Sequence, residues 1–213
     1  MSRVLVFILL FFVQALASGK QKAHPNLDCK GLGPFCLVLG ATTKEEAISV
    51  LTKEGGRVKA SYYKKLPKDL TNPNIEIVEF EGLPTGIIKD EREVKFEEVQ
   101  LWFYNGVLYK IYYILSHRLE YRSYSYIEEV ANILKLMYGD PSNLDRVENV
   151  IPLLVNRKIP VVWVYNNVKI ELKLIEGFWI SLISLEYTYM PLIDLERASD
   201  REVLRKVLPY KNF

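Results

Sequence analysis

Two short patterns occur twice along this chain, in the same order, and this repetition limits the folds that the chain can adopt. The acidic-then-apolar string Glu45–Leu51 returns as Glu128–Leu134, and a glycine soon follows each copy. Further along, Trp102–Val107 returns as Trp163–Val168, with Trp, Tyr, Asn and Val at the same positions. The matched order predicts an internal duplication. Chance similarity is the alternative, because helices and hairpins reuse the same residue types.

The first repeated pattern is typical of an amphipathic helix. Thr42 or Thr43 can cap the first copy, and Ser123 or Ser125 can cap the second. A glycine permits the left-handed backbone that ends each helix. The second copy carries its apolar residues at i, i+3, i+4 and i+7, namely Ile127, Val130, Ala131, Leu134 and Met137.

The second repeated pattern predicts two β-hairpins. Asn105-Gly106 is the strongest short hairpin signal, because both central residues of a type I′ turn need positive φ, and Asn166-Asn167 serves less well. If Tyr104 pairs with Val107, one face of the first hairpin is nearly all apolar and is expected to join the core. That face carries Val99, Leu101, Phe103, Leu108, Tyr112 and Ile114.

The opposite face of this hairpin is the candidate binding surface. Its aromatic residues are Trp102, Tyr104, Tyr109 and Tyr113. Tyr and Trp are enriched at interfaces, and a half-covered apolar face often marks a contact site. The alternative is that these aromatic residues only line a sheet face, where their strand propensity favours them.

These elements predict an α+β fold made of two helix-then-antiparallel-meander units packed as one compact body. The first unit spans residues 18–120, with a loop-like insertion at 64–91, and the second spans 121–213. Phe178–Tyr189 is expected to add a strand to the second meander. A C-terminal helix is predicted over Asp200–Leu208, because Ser199 and Glu202 form a capping-box pattern.

The N-terminus has the pattern of an export signal over residues 1–17. Arg3 precedes the apolar run Val4–Val13, and Ala15-Leu16-Ala17 resembles a signal-peptidase site before Ser18. The run is short for a permanent span, which needs about 20 apolar residues. Cleavage is therefore the expectation and an uncleaved anchor is the alternative. Either places the protein outside the cytoplasm, as a periplasmic or secreted protein.

Cys29 and Cys36 are the only cysteines, and they are expected to form a disulfide. An even cysteine count in an exported chain favours pairing, and the intervening segment is rich in Gly and Pro. The alternative is a metal site that also uses His24. This spacing matches no common structural zinc site, so no metal is predicted.

Composition and motifs argue against several functions. Without residues 1–17 the chain has 27 Lys plus Arg against 26 Asp plus Glu, a net charge of 28 − 1 − 26 = +1. Nucleic acid is not an expected partner, because phosphate binding needs a basic excess. No second long apolar run predicts a transmembrane span in the mature chain. No catalytic motif occurs, and His117 has no catalytic companion, so neither an enzyme nor a cofactor is predicted.

The segment Leu37–Ala47 resembles the start of small exported bacterial α+β domains, in which a strand ends in Gly and a Thr-capped acidic helix follows. These are the outer-membrane-assembly small lipoproteins and the tandem-repeat β-lactamase inhibitor proteins. The resemblance implies a protein that binds other proteins and is not an enzyme. We therefore expect an exported binding or assembly protein that acts through a sheet face on another envelope or secreted protein. The alternative is a small-molecule or glycan binder with an apolar pocket between helix and sheet.

Overall fold

An antiparallel sheet flanked by helices gives the described part of the chain an α+β architecture. The computed structural model describes residues 34–89, 92–115, 124–143, 154, 159–176 and 181–207. Its longer helices are α1 Lys44–Lys53, α2 Tyr124–Tyr138 and α3 Met190–Val207. Its strands are β1 Arg57–Lys65, β2 Thr71–Glu81, β3 Pro84–Lys89, β4 Arg92–Tyr104, β5 Val107–Leu115, β6 Val161–Tyr165, β7 Val168–Glu176 and β8 Ser181–Tyr189.

The strand order joins the two predicted units into one sheet. The order is β1-β2-β4-β5-β8-β7-β6, and β3 pairs with β4 beside this path. Strands β5 and β8 are the last strands of the two units, and they pair antiparallel in the middle of the sheet. Each unit therefore contributes one side of a continuous sheet.

One face of the sheet, here called the front face, packs against α1 and α2 and forms the core. The predicted apolar stripe of α2 is buried from Ile127 to Leu134. In α1 the predicted cap is confirmed: the Thr43 side chain accepts from the Glu46 N–H, and the Glu46 carboxylate accepts from the Thr43 N–H. Fully buried residues of this core include Leu51 and Leu134 of the helices and Phe103, Leu108, Tyr113, Leu172 and Leu185 of the sheet.

Both predicted hairpins are present with the predicted pairs at their turns, but the register of the first hairpin shifts between Trp102 and Phe103. Tyr104 pairs with Val107 and Tyr165 pairs with Val168. The turn residues Asn105 and Gly106 have φ values of 48° and 82°. The second turn likewise has positive φ at both asparagines. The backbone therefore has the positive φ angles that the sequence predicts for both turns.

Residues 64–89 of the predicted insertion 64–91 are not loop-like, which corrects the prediction. They supply β2 and β3, and β2 is an inner strand of the sheet. The three prolines of the insertion, with Gly82 and Gly86, suggested a loop, because proline cannot donate to a strand ladder. Pro73 is accommodated where the pairing of β2 with β1 is interrupted, between Asn72 and Glu76.

The C-terminal helix begins ten residues before the predicted start at Asp200. Helix α3 follows β8 directly at Met190, and Pro191 is tolerated because the first-turn N–H groups have no helical partner. Ser199 is consequently inside the helix, and it is buried instead of capping an end. The predicted signal segment, Cys29, His24, His117 and the predicted cap Ser123 lie outside the described residues.

Candidate functional site: the back face of the sheet

The face of the sheet opposite the core, here called the back face, is only partly covered. Helix α3 lies over it at the end where Asn72 of β2 and Tyr109 of β5 are buried. Beyond α3 the larger back-face side chains of β4, β5 and β8 are half-buried, whereas the small Ser184 and Thr188 of β8 are buried. This open region is the candidate site.

The structure brings only two of the four predicted site residues to the open back face. Trp102 and Tyr104 lie on it and are half-buried. A β-bulge places Tyr109 as an extra residue of β5, because Trp102 pairs with Lys110 while Phe103 pairs with Leu108. The bulge reverses the alternation of the rest of β5.

Tyr113 consequently belongs to the core, which corrects the predicted face. It is fully buried on the front face and stacks on Phe96 with ring centroids 4.7 Å apart. Phe35 and Tyr187 contact the same ring at 6.2 and 6.1 Å. A tyrosine in this position contributes to packing, not to an exposed surface.

Tyr109 is also fully buried, although for a different reason. It lies below α3 near two carboxylates of that helix. Burial, followed by the charges of Glu196 and Asp200, raises the pKa of the Tyr109 phenol above its usual range. Tyr109 is therefore packed beneath α3 and is not available to a partner.

In place of these two tyrosines the bulge turns Lys110, Tyr112 and Ile114 toward the back face. Their cross-strand partners on β8 are Thr188, Glu186 and Ser184. The prediction that Tyr112 and Ile114 join the core face is therefore wrong, because it assumed unbroken alternation through β5.

A network of polar contacts begins at the β1 side of the back face. The Tyr62 hydroxyl donates to Glu79 Oε1 on β2. Gln100 Nε2 on β4 donates to both Glu79 Oε1 at 3.3 Å and Glu98 Oε1 at 2.6 Å. Trp102 Nε1 in turn donates to Gln100 Oε1 at 3.1 Å.

The network continues through Lys110 to the far side of the sheet. The Lys110 ammonium lies 4.7 Å from the Trp102 ring centroid and 3.7 Å from Glu186 Oε1. Lys173 lies 3.8 Å from Glu186 and 3.6 Å from Glu171. Lys169 completes the network with an ion pair to Glu171 at 2.9 Å.

This back-face network crosses six neighbouring strands in spatial order, β1, β2, β4, β5, β8 and β7. At about 4.8 Å per strand it extends about 24 Å across the sheet. Hydrogen bonds, ion pairs and the cation–π contact between Lys110 and Trp102 hold its side chains in defined positions. The network is therefore an ordered polar surface and not a set of independent solvated side chains.

The electrostatics change from one end of the network to the other. Burial, with the hydrogen bond to Glu79 and the charges of Glu79 and Glu98, raises the pKa of Tyr62 to about 12. At the other end burial raises the pKa of Glu171, but Lys169 and Lys173 outweigh it and the net pKa is lowered. The β1–β4 side is thus dominated by carboxylates and the β7 side by ammonium groups.

A second polar cluster fixes α3 beside the open region. Lys64 Nζ of β1 binds Glu196 Oε1 at 2.6 Å and also Asp200 Oδ2. Ser199 donates to Asn72 Oδ1 at 3.0 Å, and Asn72 donates to Asp200 at 2.8 Å. Burial lowers the pKa of Lys64, but the two carboxylates outweigh it and the net pKa is raised.

Trp163 does not share the surroundings of Trp102, although both tryptophans precede their turns by the same number of residues. Trp163 is buried on the front face and its indole donates to the Gly139 carbonyl at 3.0 Å. Trp102 lies on the back face. Equivalent hairpin positions therefore do not give the two tryptophans equivalent surroundings, and the internal duplication stays a prediction.

Among the residues with described positions, no three His, Cys, Asp or Glu side chains are arranged to hold a metal ion. Within the same ranges no helix combines the length and apolar character needed to cross a membrane.

No protein-family model matches the chain, and no curated protein or solved structure is significantly similar to it. The resemblance of Leu37–Ala47 to the small exported domains stays a prediction.

Proposed function

We propose that this chain is an exported, non-enzymatic binding protein that recognises another envelope or secreted protein through the back face of its sheet. The observation that carries this proposal is the back-face network. It combines half-buried aromatic rings with fixed charged groups on a surface that α3 leaves open.

Fixed polar groups favour recognition for a thermodynamic reason. Ordering a flexible side chain at an interface costs about 0.5–1.5 kcal/mol, and this cost is reduced where the side chain is already held. The side chains of Lys110, Glu186 and Glu171 are 16%, 20% and 13% exposed, so they are held but still reach the surface. Such a surface is preorganised to bind a partner of complementary shape and charge.

The alternative, a small-molecule or glycan pocket between helices and sheet, has less support. Large buried side chains occupy that space, including Trp163, Phe103 and Leu134. Tight packing of this kind leaves the back face as the better candidate surface.

The proposed export rests on the N-terminal pattern Arg3 to Ala17 and on the cysteine count. No free cysteine is present among the described residues, and the proposed pairing of Cys36 with Cys29 is part of the same proposal.

The proposal also includes two related halves. Each begins with a helix on the front face, continues into a meander and ends in a strand of the central β5–β8 pair. This symmetry relates β4–β5 to β7–β8, so the repeated tryptophan strings on β4 and β6 are not the equivalent segments. Superposition of the paired strands in an experimental structure supports the relation if α1 then falls on α2, and contradicts it if it does not.

Neighbouring tyrosines on β1 provide a matched test of the binding face. Tyr62 belongs to the back-face network, whereas Tyr63 points to the other side and is 50% exposed. We expect Tyr62→Ala to lower the capture of a partner from the envelope fraction at least about tenfold, which corresponds to 1.4 kcal/mol. The Tyr63→Ala variant should capture the same partner as the unmodified protein.

Quantitative mass spectrometry of cross-linked complexes measures this difference, and circular dichroism checks that both variants are folded. Equal capture by the two folded variants would show that the back face is not the binding surface.

A further inference from the structure

We propose that the partner presents a basic group and an acidic group about 14–19 Å apart, which bind opposite ends of the back-face network. This inference rests on the proposed function and names the chemistry of its partner. It follows from how charge is distributed along the network.

Among the side chains that the structure describes, the carboxylates at the β2–β4 end of the network have no ion-pair partner. Glu79 and Glu98 both accept a hydrogen bond from Gln100 Nε2, a neutral donor. Glu79 also accepts from the neutral Tyr62 hydroxyl. No ion pair to either carboxylate is formed among the described residues. Two half-buried carboxylates that share one neutral donor favour an incoming cation.

The surroundings of these carboxylates suit an arginine side chain best. The Tyr62 ring belongs to the residue that donates to Glu79. The Trp102 indole is bonded to the same Gln100 and already has the Lys110 ammonium over its ring. A guanidinium can bind carboxylates in bidentate fashion while it stacks on an aromatic ring.

The β7 end presents the opposite charge. Lys169 and Lys173 have side chains 39% exposed, whereas their partner Glu171 is only 13% exposed. The ammonium groups are therefore the charges that an approaching partner meets first. Together with Lys110 they outnumber the local carboxylates Glu171 and Glu186 by three to two.

The strand order sets the separation of the two ends. Strands β4 and β7 are three positions apart in the sheet, and β2 and β7 are four positions apart. At about 4.8 Å per position the distance between the acidic and basic ends is about 14–19 Å. A complementary partner must carry its basic and acidic groups at the same separation.

Synthetic helical peptides are a suitable probe of this geometry. One peptide carries arginines at one end and glutamates at the other, separated by a helical spacer of about 11 residues, or about 16 Å. A second peptide has the same residues with a spacer of about four residues, or about 6 Å. A third and a fourth carry only arginines or only glutamates.

The indole N–H resonances of the full-length, ¹⁵N-tryptophan-labelled protein report binding. Trp102 lies in the network, and Trp163 is a built-in control because its indole is buried and bonded to Gly139. At low salt we expect the long-spacer peptide to shift the Trp102 resonance at concentrations at least about tenfold lower than the other three peptides, with Trp163 unchanged.

The double variant Glu79→Gln/Glu98→Gln tests the acidic end directly. Glutamine keeps a hydrogen-bond acceptor while it removes the charge, and an unchanged Trp163 resonance shows that the variant is folded. The variant should lose the Trp102 shift. The matched variant Glu128→Gln/Glu129→Gln removes the same charge from the exposed side of α2 and should keep it.

Three outcomes overturn this inference. The Trp102 resonance responds equally to all four peptides, it responds to none of them, or its response is unchanged in the Glu79→Gln/Glu98→Gln variant. Each of these outcomes is distinct from a failure of the proposed function. If Tyr62→Ala still abolishes capture of the partner, the back face binds by other chemistry. If Tyr62→Ala and Tyr63→Ala capture equally, the back face is not the binding surface.

Discussion

At the scale of single residues, similar sequence contexts lead to different roles. The Trp163 indole donates to the Gly139 carbonyl, next to the last turn of α2, whose carbonyl groups lack helical partners. The Trp102 indole instead donates to Gln100 in the back-face network. The two indoles differ because Trp102 of β4 lies on the back face of the sheet and Trp163 of β6 lies on the front face. No residue in the two repeated strings predicts that difference.

The Tyr62 phenol should make stability depend on pH in alkaline solution. Its pKa is about 12 in the folded protein and about 10 when unfolded, so folding favours the neutral phenol. This contribution is complete below about pH 10 and is lost as the pH rises toward 12. We expect the urea midpoint of the unmodified protein to fall more steeply over this interval than that of Tyr62→Phe.

Measuring the difference between the two proteins cancels the titration of the other tyrosines and lysines. Tyr63→Phe is the control, since it removes an exposed phenol from the adjacent position. A Tyr62→Phe curve parallel to that of the unmodified protein would contradict the assigned environment of Tyr62.

At the scale of elements, α3 has an unusual contact face. The side chains that it turns toward the sheet include the buried polar residues Glu196 and Ser199. A single cation, Lys64, lies between the Glu196 and Asp200 carboxylates. Buried ion pairs add little net stability, but removing one partner leaves the others unpaired. The position of α3, and with it the boundary of the open back face, therefore depends on Lys64.

Replacing this lysine should destabilise the protein. We expect Lys64→Met to lower the free energy of unfolding by about 2 kcal/mol, below the range for fully buried pairs because these side chains keep some exposure. Urea denaturation followed by circular dichroism measures the loss. Lys65→Met, at the exposed neighbouring position, should change stability by less than about 0.5 kcal/mol. Equal stability of the two variants would show that the ion cluster does not hold α3.

The sequence predicts elements well where the signal is local and complete. The Asn105-Gly106 turn and the Thr43 capping box depend only on nearby residues, and both are present as expected. Strand β2 was missed because the prolines and glycines of segment 64–91 suggested a loop. Pairing of Ile75–Phe80 with the neighbouring strands overrides that local signal. The bulge at Tyr109 has no local marker, and for that reason the candidate face was only half predicted.

At the scale of the whole molecule, the central β5–β8 pairing joins the two predicted units into one sheet. Six residue pairs connect the two strands, from Lys110–Thr188 to Leu115–Ile183. The core cluster likewise combines residues of α1, α2 and strands from both units. Since neither unit buries its apolar face independently, the two are expected to unfold together.

The indole resonances of Trp102 and Trp163 test this expectation, because each reports one unit. We expect both resonances to disappear at the same urea concentration. Leu185→Ala, which removes a fully buried side chain from β8, should shift both midpoints downward together and cost about 2–5 kcal/mol. The exposed substitution Leu195→Ala on α3 is the control and should leave both midpoints nearly unchanged. Two separate unfolding transitions would show that the units are independent domains which share only a sheet edge. A lowered urea midpoint confined to the Trp163 resonance of the Leu185→Ala variant would show the same.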